Sequence, residues 1–123
     1  MKWHEASQLI KDNIKKGASV NTEKSTYRIV EEVPPFKCKK YNYKNEPGYK
    51  VWIGGTNTVE IPLSMLEAIF NLAVENKGIY NNGIFEKLYS KHKETHGCHV
   101  HVVGKIFEMS GFAKKIGNNY EIL

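Results

Sequence analysis

Apolar side chains recur at helical spacing in four stretches of the chain. The first stretch predicts an amphipathic helix over Trp3–Lys16, which Gly17 ends. Its apolar stripe is about 100° wide on a helical wheel and consists of Trp3, Ala6, Ile10 and Ile14.

Three further helices are predicted in the second half of the chain. Ser64-x-x-Glu67 matches a capping box, in which Ser and Glu side chains bond each other's backbone amides at a helix start. That helix runs to a stop at Gly78. The second and third helices extend from about Asn82 to Lys93 and from about Cys98 to Ser110. The second is expected to place Ile84, Phe85, Leu88 and Tyr89 on one buried face.

Alternating and β-branched residues separate the first helix from the second. Residues 19–61 predict an antiparallel meander of three or four strands, with turn residues between them. Such a sheet can bury one face and leave the other in water. The strand-like segments are Thr26–Val30, Phe36–Tyr43, Tyr49–Ile53 and Val59–Ile61.

The C-terminal segment Ile106–Ile122 has the order of a helix end, a glycine stop, a strand, a tight turn and a closing strand. Three helices followed by such a hairpin resemble a winged helix-turn-helix. This resemblance implies that the third helix enters the major groove of DNA. The turn at Gly117–Asn119 is shorter than the basic wings that often touch the groove in this family. The front half is more loosely similar to small β-rich modules attached to restriction and defence proteins.

These patterns together predict an α+β protein. Residues 1–62 are expected to form a helix plus an antiparallel meander, and residues 63–123 a winged-helix-like domain. A chain of 123 residues suits one ordinary domain or two very small ones with a common core.

Composition places the chain among folded proteins, with 41% hydrophobic and 25% charged residues. No apolar run approaches the roughly 20 residues needed to cross a bilayer. The two cysteines, Cys38 and Cys98, lie too far apart in sequence to indicate a disulfide framework. We therefore expect a soluble, cytoplasmic protein with no membrane partner.

The formal net charge is +5, and its excess is concentrated in residues 34–50, where five lysines face one glutamate. This segregation favours a polyanionic partner. Arg28 is the only arginine among eighteen basic residues. Since arginine makes the commonest specific contact with guanine, this composition argues against base-specific recognition. A coding bias toward lysine explains it equally well.

The third predicted helix has a polar face made of His101, Gly104, Lys105 and Glu108. In a winged helix this face would approach DNA, Gly104 allowing close contact and Lys105 and His101 reaching phosphates or base edges. The other interpretation is an ordinary solvated face. Two hairpin lysines would add to the same binding region, namely Lys114 and Lys115.

The predicted sheet carries a rival surface, in which lysines alternate with aromatic rings. Aromatic rings that stack on bases beside lysines that neutralise phosphates are typical of single-strand binders. In so small a domain, half of those rings are expected to serve the core instead. The lysines are Lys37, Lys39, Lys40, Lys44 and Lys50, and the rings are Tyr41, Tyr43, Tyr49 and Trp52.

A cluster of metal-ligand types lies between the second and third helices: His92, His96, Cys98 and His99. It matches no known zinc spacing, and we favour a structural role at the edge of the core. No cofactor is therefore expected. A Cys98–His pair lacks an orienting third group and an oxyanion hole, so catalysis is not expected either.

The favoured function is a non-catalytic nucleic-acid-binding protein, regulatory or defence-related, with duplex DNA as its partner. The alternative is a small bacterial or phage protein-interaction module that inhibits a nuclease or another nucleic-acid-binding protein by occupying its surface. The third hypothesis is a zinc-binding protein that uses the cluster of residues 92–101. The oligomeric state is left open.

Overall fold

Residues 1–62 form one helix and a five-stranded antiparallel sheet in the computed structural model, which describes residues 1–22, 25–95 and 97–123. Strand β4 is central: it pairs with β2, β3 and β5, while β1 pairs with β2. The elements are α1 (Trp3–Asn13), β1 (Ser19–Asn21), β2 (Thr26–Glu31), β3 (Lys37–Cys38), β4 (Glu46–Gly54) and β5 (Asn57–Pro62). A short 3-10 turn, Lys40–Asn42, links β3 to β4.

Alternation along β2, β4 and β5 gives the sheet two different faces. Tyr49 and Val51 of β4 are fully buried, as are their register partners on β5. Lys50 and Trp52 point to the opposite side, because neighbouring residues of a strand face opposite ways. We call this second side the outer face.

Residues 63–123 form three helices and a three-stranded antiparallel sheet in which β8 lies between β6 and β7. The elements are α2 (Leu63–Glu75), β6 (Ile79–Tyr80), α3 (Asn82–Thr95), α4 (Cys98–Met109), β7 (Ala113–Ile116) and β8 (Asn119–Ile122). The sequence predicted the β7–β8 hairpin but not β6. A two-residue strand has too short a pattern to show period-2 alternation.

The α+β class is confirmed, and the two halves share one hydrophobic core. Helix α1 packs on α2 and α4, and α4 also contacts β1 at the edge of the front sheet. Ala6, Ile10 and Ile14 are fully buried, as the predicted stripe requires, although α1 ends at Asn13 rather than Lys16. Strand β5 ends at Pro62 and helix α2 begins at Leu63.

The capping box at Ser64 is wrong. Helix α2 begins at Leu63, with Pro62 at the N-cap, two residues before the predicted cap, and it has no side-chain cap bond. The Ser64 hydroxyl donates instead to a carboxylate oxygen of Glu46 in β4, at 2.5 Å. The Ser64 hydroxyl therefore bonds a residue eighteen positions away in sequence instead of the nearby Glu67 backbone amide that the motif predicted.

The buried position predicted for Leu88 is also wrong, since this side chain is 43% exposed. The neighbouring Tyr89 has φ −136° and ψ 48°, far from helical values, so α3 is interrupted there. The interruption follows Leu88, so the exposure of Leu88 depends on what packs around α3 and not on a break in the helical rotation between Ile84 and Leu88.

Candidate functional site

Helix α4 is buried on most of its circumference. Seven of its residues lie in the core, and it contacts α1, α3, β1 and β7. His101 remains exposed, while Lys105 and Glu108 are half-buried. At about 100° per residue these three occupy a stripe of roughly 60°, and the half-buried Cys98 and Met109 widen it to about 100°.

The prediction that Gly104 lies on the exposed face is wrong. Gly104 is buried, and a Cβ atom added there would collide with the ring of Tyr120 in β8. The missing side chain lets the helix backbone lie directly against that ring. Gly104 therefore allows the backbone of α4 to approach β8 of the same chain closely, and not DNA.

Lys105 is already engaged within α4. Its Nζ lies 2.5 Å from Oε1 of Glu108, and only 21% of the Lys105 side chain is exposed. The other Glu108 oxygen accepts a hydrogen bond from the backbone amide of Lys115, at 3.3 Å. A phosphate would therefore have to displace a neighbouring carboxylate to reach Lys105.

The two hairpin lysines lie on opposite faces of β7. Lys114 is exposed and is in register with Glu121, whereas Lys115 is half-buried and in register with Tyr120. Register partners share a face of the sheet, so a carboxylate lies beside Lys114. Neither lysine adds an isolated positive charge to the α4 stripe.

Three of the five sheet lysines line a single cleft of about 560 Å³ on the outer face: Lys37, Lys39 and Lys50. We call this space the lysine cleft. Segment 35–39 and Asn45 form walls, and Phe36 adds a partly buried ring to the lining. The sequence showed these lysines as a charge run, whereas the fold gathers three of them around one space.

Two glutamates moderate the charge of the lysine cleft. Lys50 is in register with Glu31 on one side and with Glu60 on the other, and both glutamates line the cleft. Oε1 of Glu60 accepts hydrogen bonds from the backbone amides of residues 39 and 40, at 2.6 and 3.2 Å. This carboxylate therefore holds residues 37–44, which we call the lysine-bearing segment, in place. It also reduces the net positive charge of the cleft.

The other two sheet lysines lie outside the cleft lining. Nζ of Lys40 donates to the carbonyl and hydroxyl oxygens of Thr58, at 2.9 and 2.8 Å. Lys44 is exposed to solvent. Lys40 thus serves to attach the 3-10 turn to β5.

The rings predicted to alternate with these lysines have separate roles. Tyr49 is fully buried, and its hydroxyl lies 3.5 Å from the carbonyl oxygen of Ile10. Tyr43 is half-buried against α3, while Tyr41 is 37% exposed. Trp52 is half-buried on the outer face. Half of the set therefore packs inside, as the small size of the domain led us to expect.

Tyr41 and Tyr43 connect the lysine-bearing segment to α3 through His92. The Tyr43 hydroxyl and His92 Nε2 are 2.6 Å apart, and the rings of Tyr41 and His92 have centroids 4.2 Å apart. Burial lowers the pKa of His92 and raises that of Tyr43. At neutral pH the uncharged imidazole can therefore accept a hydrogen bond from the Tyr43 hydroxyl, which keeps its proton.

The predicted metal candidates are partly placed by the structure. The rings of His92 and His99 are in edge contact, with centroids 5.5 Å apart, and His99 is fully buried. His96 lies outside the described residues. Within residues 1–22, 25–95 and 97–123, no three His, Cys, Asp or Glu side chains are grouped so as to hold a metal ion.

Both cysteines are held in their thiol form. Burial raises the pKa of Cys38 to about 12, with further contributions from Glu60 and Glu46, and burial also raises the pKa of Cys98. The thiolate is the form that attacks substrates and binds metals. These surroundings therefore disfavour nucleophilic attack by either cysteine.

Arg28 was not among the site residues predicted from the sequence. Arg28 is exposed on β2 and stands in register with Trp52 on the outer face. Alternation in Thr26–Val30 could have placed it on the polar face of its strand. Its pairing with Trp52 depends on strand register, which the alternation alone does not determine.

No helix within the described part of the chain is long and apolar enough to cross a membrane. Comparison with protein-family models, with curated proteins and with solved structures gave no significant match.

Proposed function

We propose that this chain is a non-catalytic nucleic-acid-binding protein whose phosphate contacts come from the lysine cleft. The observation that carries the proposal is the convergence of Lys37, Lys39 and Lys50 on one open space of about 560 Å³. Lysine ammonium groups bind phosphates as point charges and need no fixed orientation. Such a surface suits recognition of a backbone rather than of base edges.

We further propose that residues 63–123 are a winged-helix-like unit acting as scaffold. The order of three helices followed by the β7–β8 hairpin supports this interpretation. The surroundings of α4 favour a supporting role, because seven of its residues lie in the core and Lys105 is paired with Glu108. Binding is thereby assigned to the front sheet rather than to α4.

The expected affinity is modest. The cleft brings together three lysines and two glutamates. Each lysine–phosphate contact lowers the log-log salt slope by about 0.9 on duplex DNA or about 0.7 on a single strand. Three contacts would thus give a slope of about −2 to −3. A protein partner held through apolar groups would show a much weaker dependence on salt.

The test uses two triple variants with equal loss of charge. One is Lys37→Gln/Lys39→Gln/Lys50→Gln in the cleft, and the matched control is Lys105→Gln/Lys114→Gln/Lys115→Gln on α4 and β7. Fluorescence anisotropy of labelled duplex and single-stranded oligonucleotides, at several salt concentrations, gives affinities and slopes. Circular dichroism melting checks that both variants are folded.

The cleft variant should lose most of its binding and its salt dependence, while the control keeps most of both. The reverse result would assign binding to α4 and support the duplex mode that the winged-helix resemblance implies. If neither oligonucleotide binds the unmodified protein even at low salt, the proposal fails. The protein-interaction module would then take its place.

A further inference from the structure

The outer face places an aromatic ring next to the chain's only arginine. Register sets Trp52 of β4 directly between Arg28 of β2 and Thr58 of β5. Residues opposite each other on antiparallel strands have Cβ atoms about 5 Å apart. The indole and the guanidinium therefore lie within reach of one bound group.

The indole of Trp52 is held in position before any ligand arrives. Its Nε1 donates to the carbonyl oxygen of Gly55, in the β4–β5 turn, at 2.9 Å. The ring is half-buried, so part of it remains in contact with solvent. A fixed ring loses little conformational entropy when another ring stacks on it.

The outer face connects this ring to the lysine cleft. Lys50 lies two residues before Trp52 on the same face of β4, a separation of about 7 Å along a strand. Lys50 itself lines the cleft with Lys37 and Lys39. Positive side chains therefore lie on two sides of Trp52, with Arg28 across the strand and Lys50 along it.

We infer that the outer face binds single-stranded nucleic acid, with an unpaired base stacked on Trp52 and the backbone phosphates at Arg28 and the lysine cleft. This inference rests on the proposed function and names its substrate class. A stacked aromatic ring favours a single strand because a paired base inside a duplex has both faces covered by its neighbours. Stacking is tolerant of sequence, which agrees with the scarcity of arginine.

The first experiment observes the stacking directly. The chain has two tryptophans, and Trp3 packs with its ring centroid 5.8 Å from that of Phe70. In a Trp3→Phe variant, Trp52 is the only fluorescent indole, and an oligothymidylate should quench it at saturation. In a Trp52→Phe variant, the remaining Trp3 should show no such quenching on binding the same oligonucleotide.

The second experiment measures the contribution of the ring. Trp52→Thr keeps a strand-forming residue without a ring and should weaken single-strand binding by about 5- to 100-fold. Trp52→Phe should recover most of that loss. Arg28→Gln should flatten the single-strand salt slope by about 0.7. If Trp52→Thr fails to fold, quenching in the Trp3→Phe protein decides the question.

The two proposals fail in different ways. If oligonucleotides bind through the cleft lysines but Trp52 is not quenched, and the single strand has no advantage over the duplex, stacking on Trp52 is overturned. The proposed function then stands. If no oligonucleotide binds at low salt, both proposals fall together.

Discussion

Helix α4 and strand β4 both carry lysines at the surface, yet their surroundings differ. Contacts from α1, α3, β1 and β7 leave α4 with one partly exposed side, on which Lys105 is paired with Glu108. Strand β4 is buried on one face only, and its other face leads from Trp52 to the lysine cleft. The difference teaches that the element with the stronger motif resemblance is not the element with the more accessible surface.

The largest expected effect concerns the burial of α4. Gly104→Ala would place a methyl group against the ring of Tyr120, so we expect a loss of folding free energy of about 1–3 kcal/mol. Gly97→Ala is the control. Apart from its chain neighbours, the atom nearest to the added Cβ is the carbonyl oxygen of Lys93, at an ordinary contact distance of 3.8 Å. Urea denaturation measures both. Unchanged stability in Gly104→Ala would mean that α4 does not lie against the ring of Tyr120, and the contrast in burial between α4 and β4 would be wrong.

The next effect tests the connection between the lysine-bearing segment and α3. Burial lowers the pKa of His92 below its ordinary value of 6.5. As the pH falls, His92 therefore binds a proton at a higher pH in the unfolded chain than in the folded chain. The contribution of His92 to stability is complete above about pH 6.5, and it falls as the pH drops from there toward the folded-state pKa.

Denaturation at pH 7.5 and at pH 5.5, for the unmodified protein and for His92→Gln, measures this effect. The glutamine can still accept from the Tyr43 hydroxyl but does not titrate. We expect the acid-induced loss of stability to be smaller in the variant. An identical loss in both proteins would show that His92 is not the titrating group.

A smaller effect compares the lysine cleft with α4 by removing one negative charge from each. Glu31 lines the lysine cleft beside Lys50, and Glu108 lies beside Lys105 on α4. Glu31→Gln should raise affinity for single-stranded oligonucleotide a few-fold and steepen its salt slope, while Glu108→Gln should change neither. A gain confined to Glu108→Gln would move the binding surface to α4.

The smallest effect concerns the start of α2, where the two halves of the chain meet. Because the Ser64 hydroxyl bonds Glu46 and not a helix amide, Glu67→Gln should leave stability unchanged within about 0.5 kcal/mol, as for ordinary surface substitutions. Ser64→Ala should cost up to about 1 kcal/mol. Equal losses in Ser64→Ala and Glu67→Gln would restore the capping box that the sequence predicted.

Much of the fold follows from local pattern. The helical stripes and strand alternation predicted α1 to α4 and the β7–β8 hairpin, and the buried residues Ala6, Ile10 and Ile14 follow the predicted stripe. The front sheet was predicted in outline only: it has five strands rather than three or four, and only Lys37–Cys38 of the predicted strand Phe36–Tyr43 is extended in the sheet. The charge run in residues 34–50 identified the lysines that line the cleft. The α4 face was less well predicted, because polar residues on one side of a helical wheel do not reveal what packs near that side.

By itself, the sequence determined which residues alternate, which share a helical stripe and where the positive charge concentrates. These properties depend on the period of each element and need no knowledge of its neighbours. The tertiary structure decided that Gly104 lies under Tyr120, that β6 joins β8, and that Arg28 stands beside Trp52. Each depends on contact between residues distant in the chain, which packing and strand register select and local periodicity cannot encode.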